Sequence, residues 1–333
     1  MKNYFYKTIL NSLVVSALGF VTFNLSLKAV PPGIYAYVAN KSSESVSVIN
    51  TKNNLVEATI NVGVAPTQLV AAPSGHFVYV TNKESDTVSV INTSIDKVVT
   101  TIRVGNSPRG IDITPDGSLL YVANALDNSV SIIDTYVHEV IATTPVGVRP
   151  LSVAVSPLGD KVYVTNAGKN NISIINTANS TAGLTIPLAD GSIPVSLAFD
   201  TVGKYAYIVN QGLGQISVIN VNLNRVKHSF SVGSNPVAIA FSPVAPRVFT
   251  VNNGNQTVSV INTLTDNVIT NIAVEDPQAI AVHPFGISLY VTNSDKNTVS
   301  VINSSTNKIT TKIHVGSNPH GITVVSVPRT LKK

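Results

Sequence analysis

The feature that most constrains this chain is a four-residue run that returns seven times. Tyr-Val-(Ala/Thr)-Asn stands at 37–40, 79–82, 121–124, 163–166 and 290–293, with looser copies at 207–210 (YIVN) and 249–252 (FTVN). Successive copies are 42, 42, 42, 44, 42 and 41 residues apart. A second run follows each one, at 46–50, 88–92, 130–134, 172–176, 216–220, 258–262 and 299–303. A third motif, Val-Gly-x-x-Pro, ends at Pro66, Pro108, Pro150, Pro236 and Pro319, with altered forms ending at Pro194 and Pro277. Seven registered copies of three motifs define one unit, repeated.

The unit reads as four strands. In one copy they are predicted at 110–114, 119–124, 129–134 and 140–146, separated by the turn signal Pro115-Asp116-Gly117, the polar stretch 125–128 and Asp134-Thr135. No long helical period interrupts them. The middle strands are apolar nearly throughout, as at Val88, Val90 and Ile91, so they need cover on both faces. The fourth strand alternates: Val98, Ile102 and Val104 face in, while Thr101 and Arg103 face out. Lys227, Lys312 and His314 fall in the same outer class, and polar side chains on an outer strand discourage edge-to-edge pairing. Four-stranded sheets repeated at this period predict an all-β fold, a seven-bladed β-propeller of four-stranded antiparallel blades. The first repeat opens on a second-type strand (35–40), and the last residues, 320–325, match a first-type strand. The C-terminal strand is therefore expected to complete the N-terminal blade and close the ring.

Residues 1–29 read differently. A basic start (Lys2, Lys7) precedes an apolar stretch of about 15 residues, from Ile9 to Phe23, and the segment closes on Ala29. This is the layout of a secretory signal peptide, with an uncleaved anchor as the alternative, and the stretch is short of the roughly 20 residues a membrane span needs. The division expected is 1–29 signal and 30–333 propeller, with no membrane span after signal removal. The destination is periplasmic, cell-surface or secreted. The formal charge is 22 basic minus 17 acidic, or +5; leaving out Lys2, Lys7 and Lys28 reduces it to 19 minus 17, or +2. That is too small to argue for nucleic acid or an anionic membrane. With no Cys, disulfides, thiolate metal sites, Cys nucleophiles and covalent c-type haem are excluded.

By these motifs the chain resembles the YVTN family of β-propeller repeats, over residues 35 to 325. The resemblance implies the propeller fold and a place among surface-layer and cell-envelope proteins. Similar domains occur in periplasmic redox enzymes, and the wider seven-bladed class holds lactonases and lyases. Fold leaves activity open.

A residue type present in every unit is structural. The motif Asn ends a strand before a tight polar loop, where its amide is expected to bind the backbone two residues on. The motif Tyr is expected to form a wall between blades. Local function belongs in columns where one unit departs from the rest. The innermost strand starts after each Pro, near the axis, at the end here called the top. The first residue after Pro is Thr67, Arg109, Leu151, Val195, Val237, Gln278 and His320 in turn. The second is Gln68, Gly110, Ser152, Ser196, Ala238, Ala279 and Gly321, and the fourth is Val70, Asp112, Ala154, Ala198, Ala240, Ala281 and Thr323. Arg109 and His320 are the basic members of their column, Asp112 is the acid among small groups, Gln68 and Gln278 add amides, and Arg149 precedes Pro150. These six are the ligand-binding candidates, suited to an anionic or polar ligand because Arg offers a forked donor. The competing reading pairs Arg109 with Asp112 and leaves His320 exposed. Glu275-Asp276 replaces the usual small polar residues and reads either as a cation contact or as a solvated turn.

Enzyme signatures are missing: the six His fall in different columns, and no His-Glu-x-x-His or Gly-x-Ser-x-Gly occurs. No catalytic residue, metal or cofactor is assigned. The leading expectation is a binding or scaffold propeller of the cell envelope, with a protein or glycan partner at the top mouth. A lactonase- or lyase-like enzyme using Asp112, His320 and His283, a self-assembling surface-layer component, and a single-strand nucleic-acid binder follow in that order. Six Asn-x-Ser/Thr sites (Asn40, Asn92, Asn171, Asn179, Asn255, Asn303) serve as glycan acceptors only in a host that glycosylates exported protein.

Overall fold

The computed structural model describes residues 32–328, so the signal reading lies outside the described residues. These residues form 28 strands in seven separate four-stranded antiparallel sheets. Each sheet is a blade, with strands A to D running from the axis outward. In blade 3 they are Pro108–Ile113, Leu119–Asn124, Ser129–Asp134 and Glu139–Pro145, within two residues of the strands predicted from sequence. Blade 1 takes its A strand, Pro319–Val327, from the C-terminal end, and strands B to D from Gly33–Asn40, Ser45–Asn50 and Leu55–Asn61. The ring thus closes as the repeat phase requires. The remaining A strands are Pro66–Ala71, Pro150–Val155, Pro194–Phe199, Pro236–Phe241 and Pro277–Val282, in blades 2, 4, 5, 6 and 7.

The core lies between blades. One buried cluster joins Tyr35, Tyr37, Val46 and Val48 of blade 1 to Leu69, Val78, Val80 and Ile91 of blade 2. Another seals the closing junction, with Ala36, Val38 and Ile49 of blade 1 against Tyr290, Val299 and Val301 of blade 7. Strands B and C therefore bury both faces, which is why their apolar runs do not alternate. The motif tyrosines and Phe249 are almost fully buried and cross the blade boundary. Tyr37, Tyr163 and Tyr207 donate their hydroxyls to Asp96 (2.8 Å), Asn224 (2.9 Å) and Asp266 (2.6 Å), each in the C–D turn of the next blade. Burial and the neighbouring carboxylate raise the Tyr37 and Tyr207 pKa well above the usual phenol value.

The motif asparagines correct the sequence reading. Their amides do not reach the backbone two residues on. In six blades Nδ2 donates across the B–C hairpin to the hydroxyl seven residues ahead, at 2.7–2.9 Å. In blade 7 the amide is turned over: Asn293 accepts from Ser300 N–H and Oγ and donates to the Glu275 carbonyl. The two-residue pattern belongs instead to the residue that ends strand C, as where Asn50, Asn92 and Asn303 accept from Lys52, Ser94 and Ser305 N–H. The glycine of Val-Gly-x-x-Pro is explained by the same network. A Cβ on Gly63, Gly105, Gly147, Gly233 or Gly316 would fall 2.5–2.7 Å from the Asn carboxamide carbon. Asn40 is fully buried in these bonds, which closes that site to a glycan.

Candidate functional site

The A strands start at the top of the axis, and the backbone there is pinned by repeated bonds. The residue before each A-strand Pro has positive φ, from 44 to 54°, although none of the seven is Gly: Ala65, Ser107, Arg149, Ile193, Asn235, Asp276 and Asn318. Such residues are uncommon and persist where surroundings hold them. Each carbonyl accepts from the N–H just beyond a motif Asn, for example Lys41 N–H to Asn318 (3.0 Å), Lys83 N–H to Ala65 (3.0 Å) and Ala167 N–H to Arg149 (3.1 Å). The Asn128 carboxamide also accepts from Arg149 N–H at 2.8 Å. The motif threonine adds a second clamp. Thr81 Oγ1 donates to the Arg109 carbonyl, and Thr292 Oγ1 to the His320 carbonyl, both at 2.8 Å. Both residues singled out as basic are thus presented from rigid strand starts.

Around this mouth the structure brings most of the predicted residues together. Gln278 Nε2 lies 3.4 Å from His320 Nε2. If the Gln amide donates, Nε2 is the acceptor and Nδ1 carries the proton. Burial, with repulsion from Lys41, Arg109 and Lys83, pushes the His320 pKa down to about 4, partly opposed by the Thr67 backbone. The residue is partly exposed, yet its surroundings desolvate the charged form and add neighbouring cations, so it is neutral at neutral pH. Arg109 is half-buried, and burial together with neighbouring Arg149 lowers its pKa. Its Nε is sealed from solvent without a hydrogen-bond partner. Gln68 flanks Gly321, where a Cβ would meet the Thr67 carbonyl at 2.4 Å, so the two A strands approach as closely as glycine allows.

Asp112 stands apart. Arg109 and Asp112 do not pair: Asp112 Oδ1 accepts from Ile113 N–H (2.9 Å) and Oδ2 from Val155 N–H of blade 4 (2.7 Å). Three residues along a strand place it about 10 Å below Arg109. Burial pushes its pKa up to about 6 against those two bonds. It lines a channel cavity of about 410 Å3 below the mouth, with Gln68, Ser152 and Ser196. His283 follows the bottom end of its strand and accepts from Phe285 N–H at 3.2 Å, and no hydrogen bond or ion pair joins it to Asp112 or His320 among the described residues. Glu275 pairs with Lys312 at 2.7 Å, and Asp276 with Lys296 at 4.0 Å. Among the described residues no group of three or more His, Asp and Glu is placed to hold a metal ion.

Sequence reasoning missed Lys41 and Lys83. They follow the motif Asn in blades 1 and 2, where the other blades have Ala125, Ala167, Gln211, Asn253 and Ser294. Comparing that column would have found them. With Arg109 and Arg149 they make a cationic arc over blades 1 to 3 and the entry to blade 4. In the first-after-Pro column, the facing positions of blades 4 to 6 are Leu151, Val195 and Val237, all half-buried.

Solved structures share the architecture. Hydrazine synthase of Kuenenia stuttgartiensis is 20% identical, over 79% of this chain and 90% of that one, with a TM-score of 0.73. A protein of unknown function from Desulfotomaculum acetoxidans is 17% identical, over 87% and 98%, with a TM-score of 0.79. A Bacteroides fragilis protein provisionally assigned as a 6-phosphogluconolactonase is 17% identical, over 88% and 98%, with a TM-score of 0.75. At these identities the likeness is one of fold. Comparison with curated protein sequences returns no match. Residues 44–242, more than half of the chain, match the model of the YNCE-like β-propellers, and with its seven closed blades the chain belongs to that family.

Proposed function

We propose that this is an exported binding propeller of the cell envelope whose ligand or partner, an envelope protein or glycan, enters the top mouth of the central channel. One observation carries the reading. Lys41, Arg109 and Arg149 converge on the mouth with no carboxylate within 4 Å among the described residues, and Arg109 Nε is sealed without a partner. Acids of the same loops are turned onto backbone amides: Asp86 accepts from Ser107 N–H (2.9 Å) and Asp127 from Asn106 N–H (2.7 Å). Glu84 contacts Lys83 only at 3.9 Å and is exposed.

The test is a photo-crosslinker placed at Leu151 in the mouth or at Leu158 in a bottom turn, expressed in the native envelope. A species captured from Leu151, absent from Leu158, and lost in a Gln68→Ala, Arg109→Ala, His320→Ala variant of unchanged Tm supports the reading. Identical capture from both positions, or no capture from either, overturns it.

A further inference from the structure

Resting on the mouth as the binding site, we infer that the ligand is a small amphiphilic anion, with a carboxylate or phosphate head on the cationic arc and an apolar flank on the opposite rim. The two halves of the mouth carry unlike chemistry on one backbone. Lys41, Lys83, Arg109 and Arg149 supply the positive half: Lys41 and Lys83 bond by their N–H groups to the carbonyls of Asn318 and Ala65, just before the A strands of blades 1 and 2, and Arg109 and Arg149 stand at the starts of the A strands of blades 3 and 4. Arg149 in turn repels Arg109. Of these four only Lys83 has a carboxylate within 4 Å among the described residues, the exposed Glu84 at 3.9 Å, so like charges with little compensation raise the energy of the empty site, and an entering oxyanion relieves it. The Arg109 guanidinium makes no hydrogen bond or ion pair among the described residues, and its outer N–H fork suits a planar carboxylate or a phosphate oxygen pair.

A charged head alone leaves the other half unexplained. Leu151, Val195 and Val237 occupy the column that holds Arg109, Gln278 and His320 in other blades. They line the channel cavity beside the small second-column residues Ser152 and Ser196. Ile193 and Leu213 extend this apolar arc onto the top face, each 39% exposed. A short hydrocarbon or ring beside the oxyanion covers that surface, and an inorganic anion does not. The Gln278 amide, in blade 7 between the cationic arc and the apolar blades and 3.4 Å from His320, and the Gln68 amide within the arc can bond a head-group oxygen or a nearby hydroxyl.

Calorimetry on the processed chain tests this with four probes: octanoate, octyl phosphate, octanol and inorganic phosphate. The two alkyl anions are expected to bind at least tenfold more tightly than either octanol or inorganic phosphate, and whichever is tighter names the head group. Arg109→Gln is expected to weaken both at least tenfold at unchanged Tm. Leu151→Asn is expected to bring them to the level of inorganic phosphate. Octanol binding as well as octanoate, or undiminished binding by Arg109→Gln, overturns the proposal. If the Leu151 crosslinker captures a species that the alkyl anions do not displace, the ligand class is wrong and the mouth reading stands. If neither experiment detects binding, both fall.

Discussion

Asn124 and Arg109 stand together at the top of blade 3, since Asn124 pairs in register with Pro108. Asn124 is fully buried, donates to two hydroxyls at 2.9 and 3.1 Å, and has a counterpart in every blade. Arg109 has an unpartnered Nε, a repelling neighbour and no basic counterpart in the adjacent blades. Asn124 Oδ1 is buried without a partner as well, so what separates the two is repetition: one register step divides a side chain that recurs in every blade from one whose charge no adjacent blade repeats. Repeated positions hold the ring together; of the positions that break the repeat, Asp112 bridges blades 3 and 4 through Val155 N–H, whereas the Arg109 side chain makes no hydrogen bond or ion pair among the described residues. Substitutions on the two sides of that divide should differ in kind.

Removing the shared A strand gives the largest effect. A chain ending at Asn318 lacks the strand that pairs with Gly33–Asn40 and packs against blades 2 and 7. The lost burial exceeds the roughly 5–15 kcal/mol by which a domain is stable. The expected result is loss of the cooperative thermal transition, followed by circular dichroism. A transition like that of the intact chain would show that six blades and three strands suffice.

Next is Asn124→Ala, which removes both cross-hairpin bonds and leaves Ser129 and Ser131 hydroxyls facing a void. The expected cost is about 3 kcal/mol, combining unsatisfied groups with a cavity. Urea unfolding reads it directly. A loss below about 1 kcal/mol would mean the network is dispensable and the comparison with Arg109 fails.

Acid titration sharpens the divide from the other side. The His320 pKa is depressed in the fold to about 4, so as pH falls below 6.5 the unfolded chain takes up a proton that the native state refuses. Stability attributable to His320 is therefore present above pH 6.5 and lost toward pH 4. Asp112 and Asp96 act with the opposite sign. Each is raised to about 6, so the native state protonates first and stability is gained as pH falls from 6 toward 3.8. In His320→Gln only the gain remains. Relative to the unsubstituted chain, the variant should be about 2–3 kcal/mol more stable at pH 4.5 than the same comparison gives at pH 7.5. Equal differences at both pH values would show that His320 titrates normally and is not deep in the mouth.

Tyr207→Phe is smaller, about 1 kcal/mol, because it deletes a single hydroxyl bonded to Asp266 and keeps the ring. Blade 6 already carries Phe249 in this column, so the hydroxyl is an addition to the interblade wall. A cost as large as that of Asn124→Ala would place the blade lock in the hydroxyl instead of the buried ring.

These differences explain what could be read in advance. Strand positions, ring closure and the structural role of Tyr and Asn were legible because seven copies average out local accident. The Asn partner was not. The rule that an Asn side chain bonds two residues on is local and holds at Asn50 and Asn92, whereas Asn40 and Asn82 find hydroxyls across a hairpin. Departure from the column found Arg109, Arg149, Gln278 and His320. It missed Lys41 and Lys83 because only the columns after the Pro were compared, although the loop after the motif Asn lies at the same end of the ring. The partner of Asp112 was hidden for a simpler reason: Val155 N–H is 43 residues away and reaches it only through blade packing.

The smallest expected change in stability is the most telling for function. Arg109→Gln removes a half-buried charge that has no ion pair among the described residues and is repelled by Arg149. Its backbone carbonyl, the one group the fold does use, still accepts from Thr81. The loss of repulsion offsets the loss of side-chain packing, so urea unfolding should change by no more than about 0.5 kcal/mol in either direction. The same substitution should reduce the attraction of the mouth for an oxyanion at least tenfold. A drop of 2 kcal/mol or more, near the about 3 kcal/mol expected of Asn124→Ala, would move Arg109 to the structural side of the divide. In that case a cation kept without a partner could no longer be taken as the mark of a ligand site in this mouth.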